Sequence, residues 1–362
     1  MKSLLIGVGQ AGGKVATALA EFDERFGFGA VLDVVAVNTA EADLRPLDCP
    51  TVLVGGHRVD GDGVGADNEL GAEVMRADAG EVLDALDGRL TSRAEAVFVV
   101  AGLGGGTGSG GAPVLARELS RVYDVPVYGL GVLPGSDEGA LYQVNAGRSL
   151  KTFAREADAL LLLDNDAWRT SGESVADGFE SVNDAVARRV GLLLAAGEAT
   201  DGVGESVVDA SEVVNTLREG GLAAVGYASA PASEDAADNE TVVPSVAREA
   251  LLTGGSLPGV RAADAALLVV AGRPERIPRR GAERARRWLS DELDCMRVRG
   301  GDFPLDSDRL AALVLLGGVE RSERVDAFLE RARAATSEAV DAGDAREDPV
   351  SSFEVDELDG LL

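Results

Sequence analysis

Lysine is nearly missing from this chain. Lys2, Lys14 and Lys151 are the only three, against 62 acidic residues in a chain of 362. Arginine supplies almost all of the 34 positive charges, and the formal net charge is −28. A chain this acidic is a poor ligand for a nucleic-acid backbone, so no nucleic-acid partner is expected. The acidity fits either a basic partner or a surface kept soluble at molar salt, where screening within a few ångströms removes self-repulsion. Its spread along the whole chain favours salt adaptation. Histidine is equally scarce: His57, in Gly55-Gly56-His57-Arg58, is the only one, and no nucleophile-elbow sequence accompanies it. Ser-His-Asp catalysis is therefore set aside, and His57 reads as a loop residue. Cys49 and Cys295 share no metal-ligand spacing and read as free thiols of a reducing cytoplasm. There is no run of eighteen apolar residues and no signal peptide, so a cytoplasmic protein without a transmembrane segment is expected.

What the chain has in abundance is glycine, 46 residues, and the densest stretch is Gly102-Leu103-Gly104-Gly105-Gly106-Thr107-Gly108-Ser109-Gly110-Gly111. An apolar run at 96–101 precedes it and reads as a buried strand; residues 112–119 follow and read as a helix. Strand, glycine turn and helix N-terminus together form a phosphate cradle. Residues without Cβ bring several N–H groups close to an anion, and the helix dipole adds partial positive charge there. Thr107 and Ser109 offer hydroxyl donors.

Strand expectations at 3–8, 32–37, 96–101, 125–132 and 158–163 alternate with helices, the pattern of a parallel sheet covered on both faces. A long helix is expected over 175–199, with Phe179, Val182, Val186, Val190, Leu193 and Leu194 at three- and four-residue spacing. Beyond it, strands at 222–228, 265–271 and 310–316 and helices at 211–219, 242–252, 281–293 and 323–334 lack a strict βαβ rhythm, which suggests a mixed sheet. Residues 274–280 read as a turn. Arg279, Arg280, Arg284, Arg286 and Arg287 form the one strong basic cluster, read as a solvated helix face paired with local acids. The end of the chain is acidic and without helical rhythm, the composition of a disordered tail.

The first strand runs into Gly7-Val8-Gly9-Gln10-Ala11-Gly12, which satisfies G-x-G-x-x-G. A dinucleotide enzyme would put an acid at the end of the second strand to hold the ribose; here that position is Asn38. A P-loop is excluded because Lys14 is followed by Val15 rather than Ser or Thr.

GGGTGSG at 104–110 is the signature of the tubulin/FtsZ superfamily, and this stretch resembles it at every position. The resemblance accounts for the other loops together. Gly9, Gln10, Ala11 and Gly12 look like the first nucleotide loop, with Gln10 near the phosphates and the metal, Mg²⁺. Asn38 opens the second loop. Gly65, Ala66, Asp67 and Asn68 look like the third, which faces the terminal phosphate. Gly104, Gly105, Gly106, Thr107, Gly108 and Ser109 form the fourth. In the fifth, at 134–139, Glu138 matches the acid that holds the ribose. Asn165 resembles the guanine-reading residue of the sixth loop. Phe179 and Asn183, one turn apart on one helix face, match the stacking ring and the second base reader. Asp209 and Glu212 match the catalytic acids of a seventh loop, which in this superfamily enters the neighbouring subunit's site.

The sequence departs from FtsZ at Val207, where FtsZ has asparagine, and at Tyr142, where FtsZ has arginine. GQAGGKV, DNELG, LPGSDEG and LDNDAWR are instead similar to the archaeal CetZ group, whose home among haloarchaea agrees with the acidity. The resemblance implies an α/β tubulin/FtsZ-like fold. Its parts would be a parallel-sheet GTP-binding domain at 1–174, a central connecting helix at 175–200, an α+β C-terminal activation domain with a mixed sheet at 201–335 and an acidic flexible tail at 336–362. It implies a GTPase that takes GTP/GDP and Mg²⁺, assembles with itself head to tail, and acts in archaeal cell shape. The alternatives are a non-polymerising nucleotide-binding regulator and an FtsZ-like division-ring protein. The tail and the arginine cluster are two places for a further partner, through which the chain could reach the inner face of the cell envelope.

Overall fold

The computed structural model describes residues 1–167, 175–196, 198 and 208–341. In chain order they form β1 (Ser3–Val8), α1 (Gly9–Phe26), β2 (Val31–Asn38), α2 (Glu41–Leu44), β3 (Thr51–Leu53), α3 (Gly56–Val59), α4 (Asn68–Ala85), β4 (Ala96–Gly102), α5 (Gly106–Val122), β5 (Val127–Leu133), α6 (Ala140–Glu156) and β6 (Ala159–Asp164). Then come α7 (Val175–Ala196), α8 (Ala210–Leu217), β7 (Leu222–Pro231), α9 (Val242–Leu252), β8 (Val260–Gly272), α10 (Arg279–Glu292), β9 (Arg297–Pro304), β10 (Arg309–Ser322) and α11 (Glu323–Asp341).

All ten strands of the described residues join one sheet, in the order β3-β2-β1-β4-β5-β6-β7-β10-β8-β9. The strands from β3 to β7 run parallel. β10 lies antiparallel between β7 and β8, and β9 returns parallel to β8. This is an α/β fold whose sheet is parallel in its first half and mixed in its second, as the sequence led us to expect. The junction between the halves is narrow: β6 meets β7 only through Leu160↔Leu222 and Leu161↔Ala223.

The central strands are apolar throughout because helices cover both faces. Successive side chains of β1 feed opposite cores: Leu4 and Ile6 pack on one face, Leu5 on the other. Leu115 of α5, Val246 of α9, Leu289 of α10 and Phe328 of α11 fill the first core; Leu19 of α1, Leu193 of α7 and Val213 of α8 fill the second. From β1 the chain goes to β2 on one side and returns to β4 on the other. The carboxyl ends of β1 and β4 thus flank a topological switch point, where open α/β sheets bind their ligands.

The structure departs from the sequence reading in four places, one of them His57, expected in a loop and found in the short helix α3. β3 and β9 were not expected; β3 has three residues, and β9 (RVRGGDFP) lacks the alternation that marks a strand. Residues 336–341, expected in the flexible tail, belong to α11, because Phe328, Leu329, Ala332 and Ala335 continue a buried stripe at three- and four-residue spacing. Arg279 and Arg280, expected in the turn, open α10. Residues 197, 199, 200 and 342–362, the rest of the connecting helix and tail expectations, lie outside the described residues, as do 201–207 at the start of the C-terminal domain.

Candidate functional site

A cleft of about 420 Å³ opens at the carboxyl ends of the parallel strands. It is walled by the residues that follow β1, β2, β4, β5 and β6 and by the loop before α4. Gly9, Gln10, Ala11, Asn38, Gly65, Ala66, Gly104, Gly105, Gly106, Thr107, Gly108, Glu138 and Asn165 all line it, so thirteen expected residues from six separate loops meet in one place.

Two helix N-termini end in this cleft without a side-chain cap. α1 starts at Gly9 after Val8, and α5 starts at Gly106 after Gly105; neither has an acidic residue in its first turn. The first N–H groups of each helix therefore have no intrahelical acceptor and keep their partial positive charge. The two turns touch. Gly9 has φ +73, and a Cβ there would sit 2.9 Å from the Gly108 nitrogen. Gly12 lies one turn behind, against β4, where a Cβ would meet the Val100 carbonyl oxygen at 2.2 Å. It sets the depth of α1 rather than lining the cleft.

The polar side chains are tied into a frame. The Thr39 and Thr107 hydroxyls lie 2.7 Å apart and join the second loop to the signature turn. Asn38 accepts from the backbone of Thr39 and Ala40 through Oδ1 and donates to Asp43 at 3.1 Å. Gln10 donates to the other Asp43 oxygen at 2.8 Å through Nε2, which leaves its Oε1 for another partner. Asn145, buried on α6, donates to Ala66 at 2.7 Å and to Gly104 at 3.0 Å, locking the third loop to the fourth. Sequence reasoning missed Asp43 and Asn145. A buried asparagine in the middle of an amphipathic helix was the available signal for the second; for Asp43 there was none beyond its closeness to Asn38.

Glu138 accepts from Gly135 N at 2.7 Å, which folds the fifth loop back on itself. Asn165 sits between two acids held by one arginine of the last helix. Arg324 donates to Asp164 at 2.5 and 3.1 Å and to Asp166 at 2.5 Å, and Asp166 also accepts from Ser136 N at 2.9 Å. Burial alone would raise the Asp166 carboxyl; the Ser136 hydrogen bonds and the Arg324 guanidinium outweigh it and hold the group below its ordinary range. α11 is thereby bound to the fifth and sixth loops at once.

Other expected residues lie elsewhere. Asp67 caps α4, accepting from Leu70 N at 2.9 Å. Asn68 and Ser109 line a second groove, on the far side of α5, and the Ser109 hydroxyl donates back to Gly105 O inside its own helix. Asn183, half-buried on α7, does not line the cleft. Phe179 falls within α7, but its side chain lies outside the described residues. Asp209 and Glu212 are remote from the chain's own cleft: α8 feeds the amino end of β7, whereas the cleft sits at the carboxyl ends of the parallel strands. Asp209 caps α8. Its carboxyl is held low chiefly by the Ser211 hydroxyl, with help from the Ser211 and Glu212 backbone. Glu212 pairs with Arg299 of β9 at 3.2 Å.

The donor set fits a hard cation only in part. Asp43 and Asp62 line the cleft beside Gln10, yet no group of three or more His, Cys, Asp or Glu side chains converges anywhere among the described residues. Both cysteines are free thiols. Four of the clustered arginines pair with local acids: Arg279 and Arg287 with Glu283, Arg280 and Arg284 with Glu240. No helix among the described residues is long and apolar enough to cross a membrane.

Comparison with known proteins agrees with this geometry. Residues 2–172 match the Tubulin/FtsZ family GTPase domain, and residues 172–334 match the C-terminal domain of tubulin-like CetZ. Tubulin-like protein CetZ2 of Haloferax volcanii is 68% identical, with 100% of each chain covered. The structure of Haloferax volcanii CetZ2 as a GTPgS-bound protofilament superposes with a TM-score of 0.91, covering 94% of this chain and 100% of that one at 67% identity. The GDP-bound CetZ1 monomer of the same organism gives 0.85 at 47% identity, covering 92% and 99%. The chain belongs to the tubulin/FtsZ family and, within it, to the CetZ group of tubulin-like proteins.

Proposed function

We propose that the chain binds GTP and GDP in the cleft between α1 and α5, hydrolyses GTP, and assembles head to tail into cytoskeletal filaments that act in archaeal cell shape. The observation that carries this reading is the convergence of two uncapped helix N-termini on one glycine-walled cleft. Backbone N–H groups of Gly9 to Ala11 and Gly104 to Gly108 receive the phosphates, with Gly65 and Ala66 closing over the terminal one. Glu138 receives the ribose. Asn165, with Phe179 and Asn183 from α7, reads the guanine. Gln10 and Asp43 would hold Mg²⁺, which when bound would supply neutralisation of the phosphate charge. Asp209 and Glu212 of one subunit complete the cleft of the next and orient the attacking water, so catalysis rests on positioning and fixed dipoles. Residues 1–174, 175–200, 201–335 and 336–362 are then the nucleotide, connecting, activating and tail segments. The GTPgS-bound protofilament of the Haloferax relative supports both ligand and assembly.

One observation favours a non-polymerising regulator: Asp209 is engaged in a helix cap and Glu212 in an ion pair. A single experiment separates the two. GTP turnover is measured across protein concentrations in molar KCl with Mg²⁺. A specific rate that climbs above a threshold concentration establishes a site built between subunits. A flat, low rate with GTP still bound refutes it in favour of the regulator.

A further inference from the structure

β5 and β6 are neighbours in the sheet, and their last paired residues are Leu133 and Asp164. The fifth and sixth loops therefore leave from one rung and then part. The fifth carries Glu138 on residues 134–139, which form neither helix nor strand. The sixth carries Asn165 in a single 3₁₀ turn, Asn165–Ala167. Successive side chains of such a turn point about 120° apart. Asn165 accordingly lines the cleft, and Asp164 and Asp166 do not.

Asp166 rejoins the two loops. Its Oδ2 accepts from Ser136 N at 2.9 Å. Ser136 stands two residues before Glu138, and the stretch between them is a closed turn: Glu138 N donates to Gly135 O at 3.1 Å, and Gly135 N donates to the Glu138 carboxylate at 2.7 Å. From Asn165 to Glu138 the path is thus one peptide bond, one hydrogen bond and one turn. Gln143 of α6 supports the same turn from its other side, donating to Gly135 O at 2.7 Å. The Asp166 carboxylate is 20% exposed, so water competes for it. Arg324 fixes its direction. Nη2 meets Asp166 at 2.5 Å and Asp164 at 3.1 Å, while Nε takes the second Asp164 oxygen, and a planar fork on two acids leaves the carboxylates little freedom. Arg324 does not line the cleft, so it acts through these acids.

Resting on the reading that gives Glu138 the ribose and Asn165 the guanine, we propose that Asp166, oriented by Arg324, is a positioning residue that sets the spacing of those two groups. Recognition of sugar and base then depends on a side chain at the start of α11, 158 positions away in sequence. On the same reading the phosphates lie at the α1 and α5 termini, which these contacts do not touch. Nucleoside discrimination and phosphate binding are therefore separable, and loosening Asp166 loses the first and keeps the second.

The test measures affinities of the full chain in molar KCl with Mg²⁺ for four ligands. They are GTP, ATP with its reversed donor–acceptor edge, 2′,3′-dideoxy-GTP without sugar hydroxyls, and tripolyphosphate. Ser136→Pro removes the N–H that Asp166 accepts and leaves the Arg324 contacts alone. Position 136 is second in a turn that has no positive φ, where proline fits. Its preferences for GTP over ATP and over dideoxy-GTP should each shrink about threefold or more, on the scale of the about fivefold that one net hydrogen bond contributes. Tripolyphosphate affinity should stay within about twofold of the parent. Arg324→Met, measured where circular dichroism shows it folded, should give the same pattern. Unchanged preferences in either variant, or an equal loss for all four ligands, as a merely structural role gives, would overturn the proposal. Glu138→Ala and Asn165→Ala separate that failure from a failure of the underlying reading. They should erode the sugar and the base preference respectively, and if both preferences survive in them the ribose and guanine assignments fall, and the positioning role with them.

Discussion

Arg324 is the most exposed point of failure in the structure. One guanidinium holds Asp164 and Asp166, on either side of Asn165. Replacing it as Arg324→Met keeps the length and apolar stem and removes the charge. Stripping one partner from a buried ion pair costs about 3–5 kcal/mol, because the other charge stays buried. Asp164 is only 2% exposed, but Arg324 is 24% and Asp166 20% exposed, so water relieves part of the cost and about 2–3 kcal/mol is expected. At about 2–4 °C per kcal/mol the melting temperature should fall by about 4–12 °C in scans at fixed KCl. Adding Asp164→Asn should return part of the loss, since the orphaned charge goes with it. The pH dependence has a fixed sign. The folded Asp166 carboxyl titrates below its ordinary 3.8, so its contribution is complete above that value and disappears as pH falls through the lower folded one. Arg324→Met should therefore unfold at a higher pH on acid titration than the parent. A melting temperature within 1 °C of the parent in matched buffers, with an unshifted acid transition, would refute the clamp.

Three further outcomes follow from the same geometry. Glu212→Ala should leave GTP affinity within about twofold and reduce turnover at least a hundredfold, the scale of losing a group that orients the nucleophile; near-normal turnover would remove Glu212 from the catalytic machinery. Gly9→Ala forces an L side chain to φ +73 and against Gly108, and should weaken nucleotide binding about tenfold by calorimetry, whereas Gly27→Ala, at φ +67 in open space, carries only the local strain of about 1–2 kcal/mol. Asn145→Ala leaves the Ala66 and Gly104 carbonyls without their donor and should cost about 2–3 kcal/mol of stability, with faster amide exchange confined to 63–67 and 102–106.

The cleft was legible in the sequence because its chemistry is backbone chemistry. A glycine run between a buried strand and a helix has few physical uses, and thirteen expected residues do converge. Side-chain assignments fared less evenly, because one-dimensional spacing does not say which way a helix turns. Ser109 is two residues from Thr107, and that rotation turns its hydroxyl from the cleft to a helix carbonyl. Asn68 is displaced for a related reason: Asp67 takes the cap, so Asn68 enters the first turn and is carried to the other side of α5. Asp43, Asn145 and Arg324 escaped notice because each works on another residue rather than on a ligand. Arg324 lies 158 positions from Asp166, and only the closure of α11 over α6 brings them together.

Asp209 and Glu212 lie away from the chain's own cleft. Nothing in a single chain brings them to a phosphate: Asp209 is hydrogen-bonded to Ser211 and the α8 backbone, whereas Glu212 meets Arg299 at 3.2 Å as an ion pair and its Oε2 is buried without a hydrogen bond. A carboxylate held in an exposed ion pair is weakly held, by about 0–1 kcal/mol, and in molar salt by less. An ion pair of that strength does not lock Glu212 in place. The same screening bears on the cleft. With a Debye length of about 3 Å at 1 M salt, the net charge of −28 neither repels nor steers a nucleotide triphosphate at a distance. Short-range donors must do the binding, and uncapped helix termini provide them without adding a single positive side chain. A chain that has nearly given up lysine can thus still hold polyphosphate, because its anion site is made of peptide N–H groups that salt cannot screen at contact distance.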